Sequence, residues 1–220
     1  MLKGIIYALL ACFIWGLIFI VPGFMSSYSA IEIAMGRYLI YGIFSLALIY
    51  KARMGGGCRY PLSVWIKSLL YALIITVGYY TCLVLGLRYS TPAICALIIG
   101  LSPIAISLYG NWKEKEVSFR SLTTPSILIL IGLALINGPH LQSSETPTTF
   151  IWGLFYSTLA LLAWSWYVVA NARYLKKNPQ VDSNDWNNMM GVTSIFWVIL
   201  LGFLMKDQIN FTSYLVWSRP

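Results

Sequence analysis

Apolar residues in this chain run on without interruption instead of recurring every second or every third and fourth position. Seven such stretches stand out: Gly4–Val21, Ile31–Tyr50, Ser68–Leu87, Thr91–Gly110, Leu122–Asn137, Phe150–Ala170 and Met189–Met205. Most of them reach the roughly 17–25 residues that a helix needs to cross a bilayer. The fifth is the least regular, because Pro125 removes a backbone donor near its start. A spanning β-barrel would alternate apolar and polar residues along each strand, and these runs do not. The pattern predicts an all-α polytopic membrane protein.

The runs are also related to one another. Gly4–Val21 aligns without gaps with Gly153–Ala170, pairing Tyr7 with Tyr156, Leu10 with Leu159, Ala11 with Ala160 and Trp15 with Trp164. After a small insertion, Met35-Gly36 pairs with Met190-Gly191 and Ile40 with Ile195. The chain is therefore expected to comprise a first unit over residues 1–138, a linker rich in Ser, Thr and Pro over 139–149, and part of a second unit over 150–220. Two full units would run to roughly 300 residues, so about seven helices of an expected ten are anticipated here. The segment Lys206–Pro220 then reads as an outer loop leading into an eighth span. Duplication within an apolar chain is a recurring property of secondary transporters.

Composition agrees with the pattern. Hydrophobic residues make up 59% of the chain and charged residues 10%, against about 45–50% and about 25% in soluble domains. One soluble core cannot hide so much apolar surface, so the lipid bilayer is the first expected partner. A net charge of +8 would suggest a polyanionic ligand if it were clustered on one face. It is distributed otherwise. With the N-terminus inside, the inner segments hold Lys3, Lys51, Arg53, Arg59, Lys67, Lys113, Lys115, Arg120, Arg173, Lys176 and Lys177, while the outer ones hold only Arg88, Lys206 and Arg219. This positive-inside bias reports topology, and no nucleic-acid partner is expected. In the same topology the first run crosses outward and its match, the sixth, crosses inward. A repeat of five spans, an odd number, must be inverted in the membrane.

Reactive chemistry is sparse. Cys12, Cys82 and Cys95 lie within spans and Cys58 in an inner loop, with no metal-ligand spacing among them. His140 is the one histidine, in an outer loop, and neither a zinc-binding nor a serine-nucleophile arrangement is available around it. No phosphate-binding or dinucleotide loop is present. The sequence predicts no enzyme, no metal and no cofactor. The N-terminal apolar run lacks a small-residue cleavage site and aligns with an internal run, so it reads as retained. Asn210-Phe211-Thr212 matches a glycosylation sequon, a three-residue pattern that recurs by chance.

Several residues within the spans have both structural and functional readings. Gly4, Ala8, Cys12 and Gly16 form a small-residue stripe repeated as Gly153, Ser157 and Ser165, and such stripes are expected to pack tightly against partner helices. Trp15 and Trp164 sit well inside their runs, where core packing and cavity lining are equally open to them. Tyr79, Tyr80 and Tyr167 pose the same choice, since a buried phenol needs a hydrogen-bond partner. Ser102-Pro103 interrupts the fourth run and frees a backbone carbonyl, which suits a hinge or a polar spot beside a cavity. Only Arg37 and Glu32 bring charge into a span. Arg37 is read either as an anion contact or as a structural charge that pairs with a carbonyl or snorkels; its counterpart in the second unit is Val192. No mid-membrane carboxylate is present to relay protons, so facilitated or exchange transport is as admissible as proton coupling.

Together, Gly-x-x-x-Ala-x-x-x-Cys-x-x-Trp-Gly from Gly4, Arg37, Leu101-Ser102-Pro103, the Glu114 and Glu116 region and the restart at Trp164 resemble the EamA family of the drug/metabolite transporter superfamily. The resemblance covers nearly the whole chain, but its motifs identify a family and not a substrate. It implies a ten-helix carrier of small metabolites, multi-pass in a bacterial inner membrane with a cytoplasmic N-terminus. Two inverted five-helix repeats would surround a central cavity. Carried over by position, Trp15, Tyr79, Ser102, Pro103, Trp164 and Tyr167 are the expected substrate-binding residues. Aromatic lining without acids favours aromatic, neutral or zwitterionic molecules, amino acids among them. The alternative is a non-transporting remnant, or a subunit completed by a second polypeptide, a missing C-terminal half or a homo-oligomer.

Overall fold

The computed structural model describes residues 2–54, 60–114, 118–137 and 147–204, and each regular element among them is a helix. These are α1 (Leu2–Phe24), α2 (Ala30–Met54), α3 (Leu62–Tyr89), α4 (in two pieces, Pro92–Gly100 and Ser102–Glu114), α5 (Phe119–Asn137), α6 (Pro147–Lys177) and α7 (Ser183–Leu204). Each predicted run thus forms a helix. All but α5 are long and apolar enough to cross a membrane, which makes the chain a multi-pass membrane protein. The first turns of α5 carry Arg120, Ser121, Thr123, Thr124, Pro125 and Ser126, so its unbroken apolar stretch begins only at Ile127. The Gly55-Gly56-Gly57 stretch, Cys58, Glu116, His140 with most of the linker, and Lys206–Pro220 with Asn210 lie outside the described residues.

Caps fix the starts of three helices, and one of them carries its helix well past the apolar run. Ser29 and Glu32 form a reciprocal capping box: the Ser29 amide donates to the Glu32 carboxylate at 2.6 Å, and the Glu32 amide donates to the Ser29 hydroxyl at 3.2 Å. Glu32 is therefore engaged in starting α2. Asp182 begins α7 several residues before the predicted Met189, accepting from the amides of Asn184 at 2.8 Å and Asp185 at 3.1 Å. Thr91 caps α4, accepting from the Ile94 amide at 3.3 Å, with Pro92 in the first turn where its missing N–H costs nothing.

Two helix pairs form the tightest seams, and both are lined by small residues. On α6, Gly153 faces the backbone of Tyr89 and Ser90 so closely that an added Cβ would lie 2.8 Å from the Ser90 nitrogen, and buried Ser157 sits against Gly86 of α3. Between α2 and α7, Gly42 faces the Gly191 carbonyl and Gly191 faces Ser45. Backbones that approach this closely replace the hydrophobic driving force that lipid does not supply. The α6 stripe meets the expectation of tight packing. The aligned stripe of α1 does not within the described residues: nothing lies within 4 Å of a Cβ placed on Gly4 or Gly16. Much of α1 is instead outward-facing apolar surface, with Leu9 at 64% and Phe13 at 69% exposure.

Two apolar clusters stabilise the described helices. One gathers Tyr38, Tyr79, Tyr80, Leu83, Val84 and Cys95. The other gathers Ile49, Val64, Val181, Trp186, Met189 and Met190, near the end of α2 and the starts of α3 and α7.

Candidate functional site

The aligned tryptophans of the two units meet. Trp15 of α1 and Trp164 of α6 lie edge to face, ring centroids 5.0 Å apart. Trp164 continues the contact to Tyr79 of α3, also at 5.0 Å, and to Tyr167 at 5.8 Å. Four of the six residues expected to bind substrate thus form one continuous ring cluster across three helices. Ser102 and Pro103 do not join it. They sit at a break in α4, where the Leu101 amide donates to the Ile98 carbonyl at 3.0 Å in a tightened turn, and they line neither of the cavities beside Arg37.

The placement of Tyr79 and Tyr80 follows from a change of helical register. Residues Ile74–Tyr80 of α3 are π-helical, with hydrogen bonds reaching five residues back, a local form common at functional sites. The wider turn buries both neighbouring phenols, Tyr79 against Trp164 and Tyr80 beneath Arg37. Tyr38 of α2 donates its hydroxyl to the Ile75 carbonyl inside this segment at 2.8 Å, tying the two helices together where the backbone ladder shifts.

Arg37 stands at the junction of two cavities. The larger, about 550 Å³, runs along α1 and α2 between Trp15, Ile18, Glu32, Arg37 and Tyr80. The smaller, about 270 Å³, is walled by Arg37, Tyr38, Tyr41, Trp164, Tyr167 and Asn187. The guanidinium carbon is 4.4 Å from the Tyr80 ring centroid and 5.8 Å from that of Tyr38. These are cation–π distances. Neighbouring polar groups are already engaged: the Tyr41 hydroxyl donates to the Asn187 backbone carbonyl at 2.6 Å, and the Tyr167 hydroxyl lies 3.7 Å from the Met190 sulfur.

A second set of polar and ring contacts lies at the far end of these helices. The Tyr60 hydroxyl donates to Asp185 at 2.9 Å and accepts from the Asp182 amide at 3.2 Å. Burial, then the hydrogen bond and charge of Asp185, raise the Tyr60 phenol above its ordinary range, with the Asp182 amide opposing. Behind it Trp186 donates its indole N–H to Asn171 at 2.6 Å and packs on Tyr174 at 4.4 Å and Tyr71 at 5.6 Å. Sequence reasoning missed these contacts and the parts played by Tyr38 and Tyr41. The one available signal was the run of aromatics adjoining Arg37.

Bilayer-length helices packed around aromatic-lined cavities define the class of protein: a polytopic membrane protein. The EamA-like transporter family model matches residues 2–138, and the chain belongs to that family. Over 216 residues it is 29% identical to the inner membrane protein YtfF of Escherichia coli strain K12, a match that covers 93% of this chain and 65% of that protein. The chain thus spans about two thirds of the length of the curated relative it matches. No solved structure matches it.

Proposed function

We propose that the protein is a secondary transporter of small metabolites, acting by alternating access in the bacterial inner membrane with its N-terminus cytoplasmic. The direct contact between Trp15 and Trp164, 5.0 Å apart beside the cavities of Arg37, carries this reading. The contact brings the paired positions of two sequence-related units to one place, where an inverted-repeat carrier holds its cargo. Rocking of the two units would exchange access between the membrane faces. In this reading the Tyr60–Asp185 and Trp186–Asn171 contacts form an inner gate, and the larger cavity opens outward past Glu32 and the start of α2. The inner-membrane name of the relative and its match over most of this chain support the location.

Flux of a metabolite panel into proteoliposomes holding the full protein tests the reading. Trp164→Ala removes three ring contacts, each worth on the order of 0.5–1.5 kcal/mol beyond area burial, and is expected to cut flux of the cargo about tenfold or more. An alanine at Leu9, which faces away from the cavities, should leave flux unchanged. Absence of flux across the panel, or equal flux in the two variants, would contradict the proposal.

A further inference from the structure

We propose that the crevice between the inner ends of α4, α5 and α6 binds an anionic phospholipid, with Arg173 and Lys176 holding the phosphate and apolar walls holding the start of the acyl chains. The crevice, about 400 Å³, shares no lining residue with the two cavities of Arg37. The site is thus separate from the one assigned to cargo and does not depend on the transporter reading.

Polarity is graded along the crevice. On α6 its wall begins with Val168 and Val169 and passes to Arg173 and Lys176 on the following turns; on α4 it begins with Ile106 and ends with Asn111. At 1.5 Å per residue, roughly 6–12 Å separates the apolar end from the cationic end along α6. α4 and α6 are two spans apart in an alternating path, so they run in the same direction and the two gradients coincide. Both start within the bilayer and finish at the face that the positive-inside bias assigns to the cytoplasm.

The crevice is enclosed on several sides. Asn111 and Val169 are 8% and 7% exposed, Arg173 is half-buried, and Leu122 of α5 supplies a further wall. A Cβ added to Gly110 would lie 3.7 Å from Val169, so α4 and α6 approach closely where they enclose the space. A free anion is matched by polar groups throughout, whereas a graded wall matches a molecule whose charge and apolar body are joined end to end. A phosphodiester beside two cations gains charge-assisted hydrogen bonds. A zwitterionic lipid offers the same phosphate but brings a quaternary ammonium next to Arg173 and Lys176.

The test titrates the full protein, delipidated in a neutral detergent, with dioctanoyl phosphatidylglycerol, dioctanoyl phosphatidylcholine and glycerol 3-phosphate, counting bound ligand by native mass spectrometry. Wild type is expected to bind phosphatidylglycerol about 30-fold tighter than phosphatidylcholine, about fivefold for each basic side chain. Glycerol 3-phosphate, a headgroup without chains, should bind far more weakly. Arg173→Gln combined with Lys176→Gln should erase the preference between the lipids. Lys51→Gln combined with Arg53→Gln removes the same charge from exposed positions at the end of α2 and should preserve it. Ala172→Trp keeps both cations, fills the crevice from its exposed rim, and should lower phosphatidylglycerol binding to the phosphatidylcholine level.

Equal binding of the two lipids by wild type would overturn the proposal. So would a preference that survives Ala172→Trp, or one lost as fully in the Lys51 and Arg53 variant, which would assign it to the overall charge of the inner face. Glycerol 3-phosphate binding as tightly as phosphatidylglycerol would overturn the lipid in favour of a soluble phosphate ester. If the Arg173 and Lys176 variant does not fold, Ala172→Trp and the wild-type comparison decide.

Discussion

Tyr60 shows how a single side chain at the edge of an apolar cluster can tie two helix starts together. Its hydroxyl bridges Asp185 and the Asp182 amide, so it joins the chain before α3 to the start of α7. Tyr60→Phe keeps the ring and loses both bonds, and is expected to lower stability by about 1–2 kcal/mol, read as a shift in the melting transition in detergent. Folding raises the Tyr60 pKa, so the fold favours the protonated phenol. Its contribution is complete below the ordinary value of 10.0 and is lost as pH rises from there through the higher folded value. The gap between wild type and Tyr60→Phe should therefore stay constant through neutral pH and shrink in strongly alkaline buffer. A gap that varied across neutral pH would assign the effect to another group. At this scale the sequence was partly legible. Trp15 and Trp164 stood out because the repeat aligned them, and they do meet. Tyr38, Tyr60 and Trp186 did not, because their roles depend on partners far away in the chain: Ile75, Asp185 and Asn171.

Among the elements, continuous apolarity located every helix but not its ends. Caps fix three of the starts: Ser29 with Glu32, Thr91, and Asp182, the last adding more than a turn before Met189 that hydropathy alone leaves out. The π-helical Ile74–Tyr80 was not legible either, since nothing in its composition separates a seven-residue change of register from regular helix. The small-residue stripes were legible as stripes, but their partners were not. Gly4 and Gly153 occupy the same position of the two units, yet only Gly153 abuts a neighbour among the described residues. Gly153→Ala would press a methyl onto the Ser90 backbone and is expected to cost about 1–3 kcal/mol. Gly4→Ala should be neutral or slightly stabilising, because alanine is the better helix former. Melting of the two variants side by side checks this, and equal losses would show that α1 packs as tightly as α6.

For the molecule as a whole, composition and charge placement established a multi-pass membrane protein, and the internal repeat pointed to two related units whose tryptophans converge. The sequence offered aromatic, neutral or zwitterionic molecules as cargo, but not where Arg37 would come to lie. Arg37 comes to lie over the Tyr80 ring, and that requires the register of α3. The central claim is that a water-accessible cavity, open to the outer face, lies between these helices at Trp15 and Arg37. Thiol accessibility tests it most directly, in a background whose native cysteines are replaced by alanine. Ile18→Cys lines the larger cavity, while Phe13→Cys faces away from it. A membrane-impermeant methanethiosulfonate reagent added to right-side-out vesicles should modify Ile18→Cys and spare Phe13→Cys. Modification of neither, or of Ile18→Cys only from the inner face, would contradict the account.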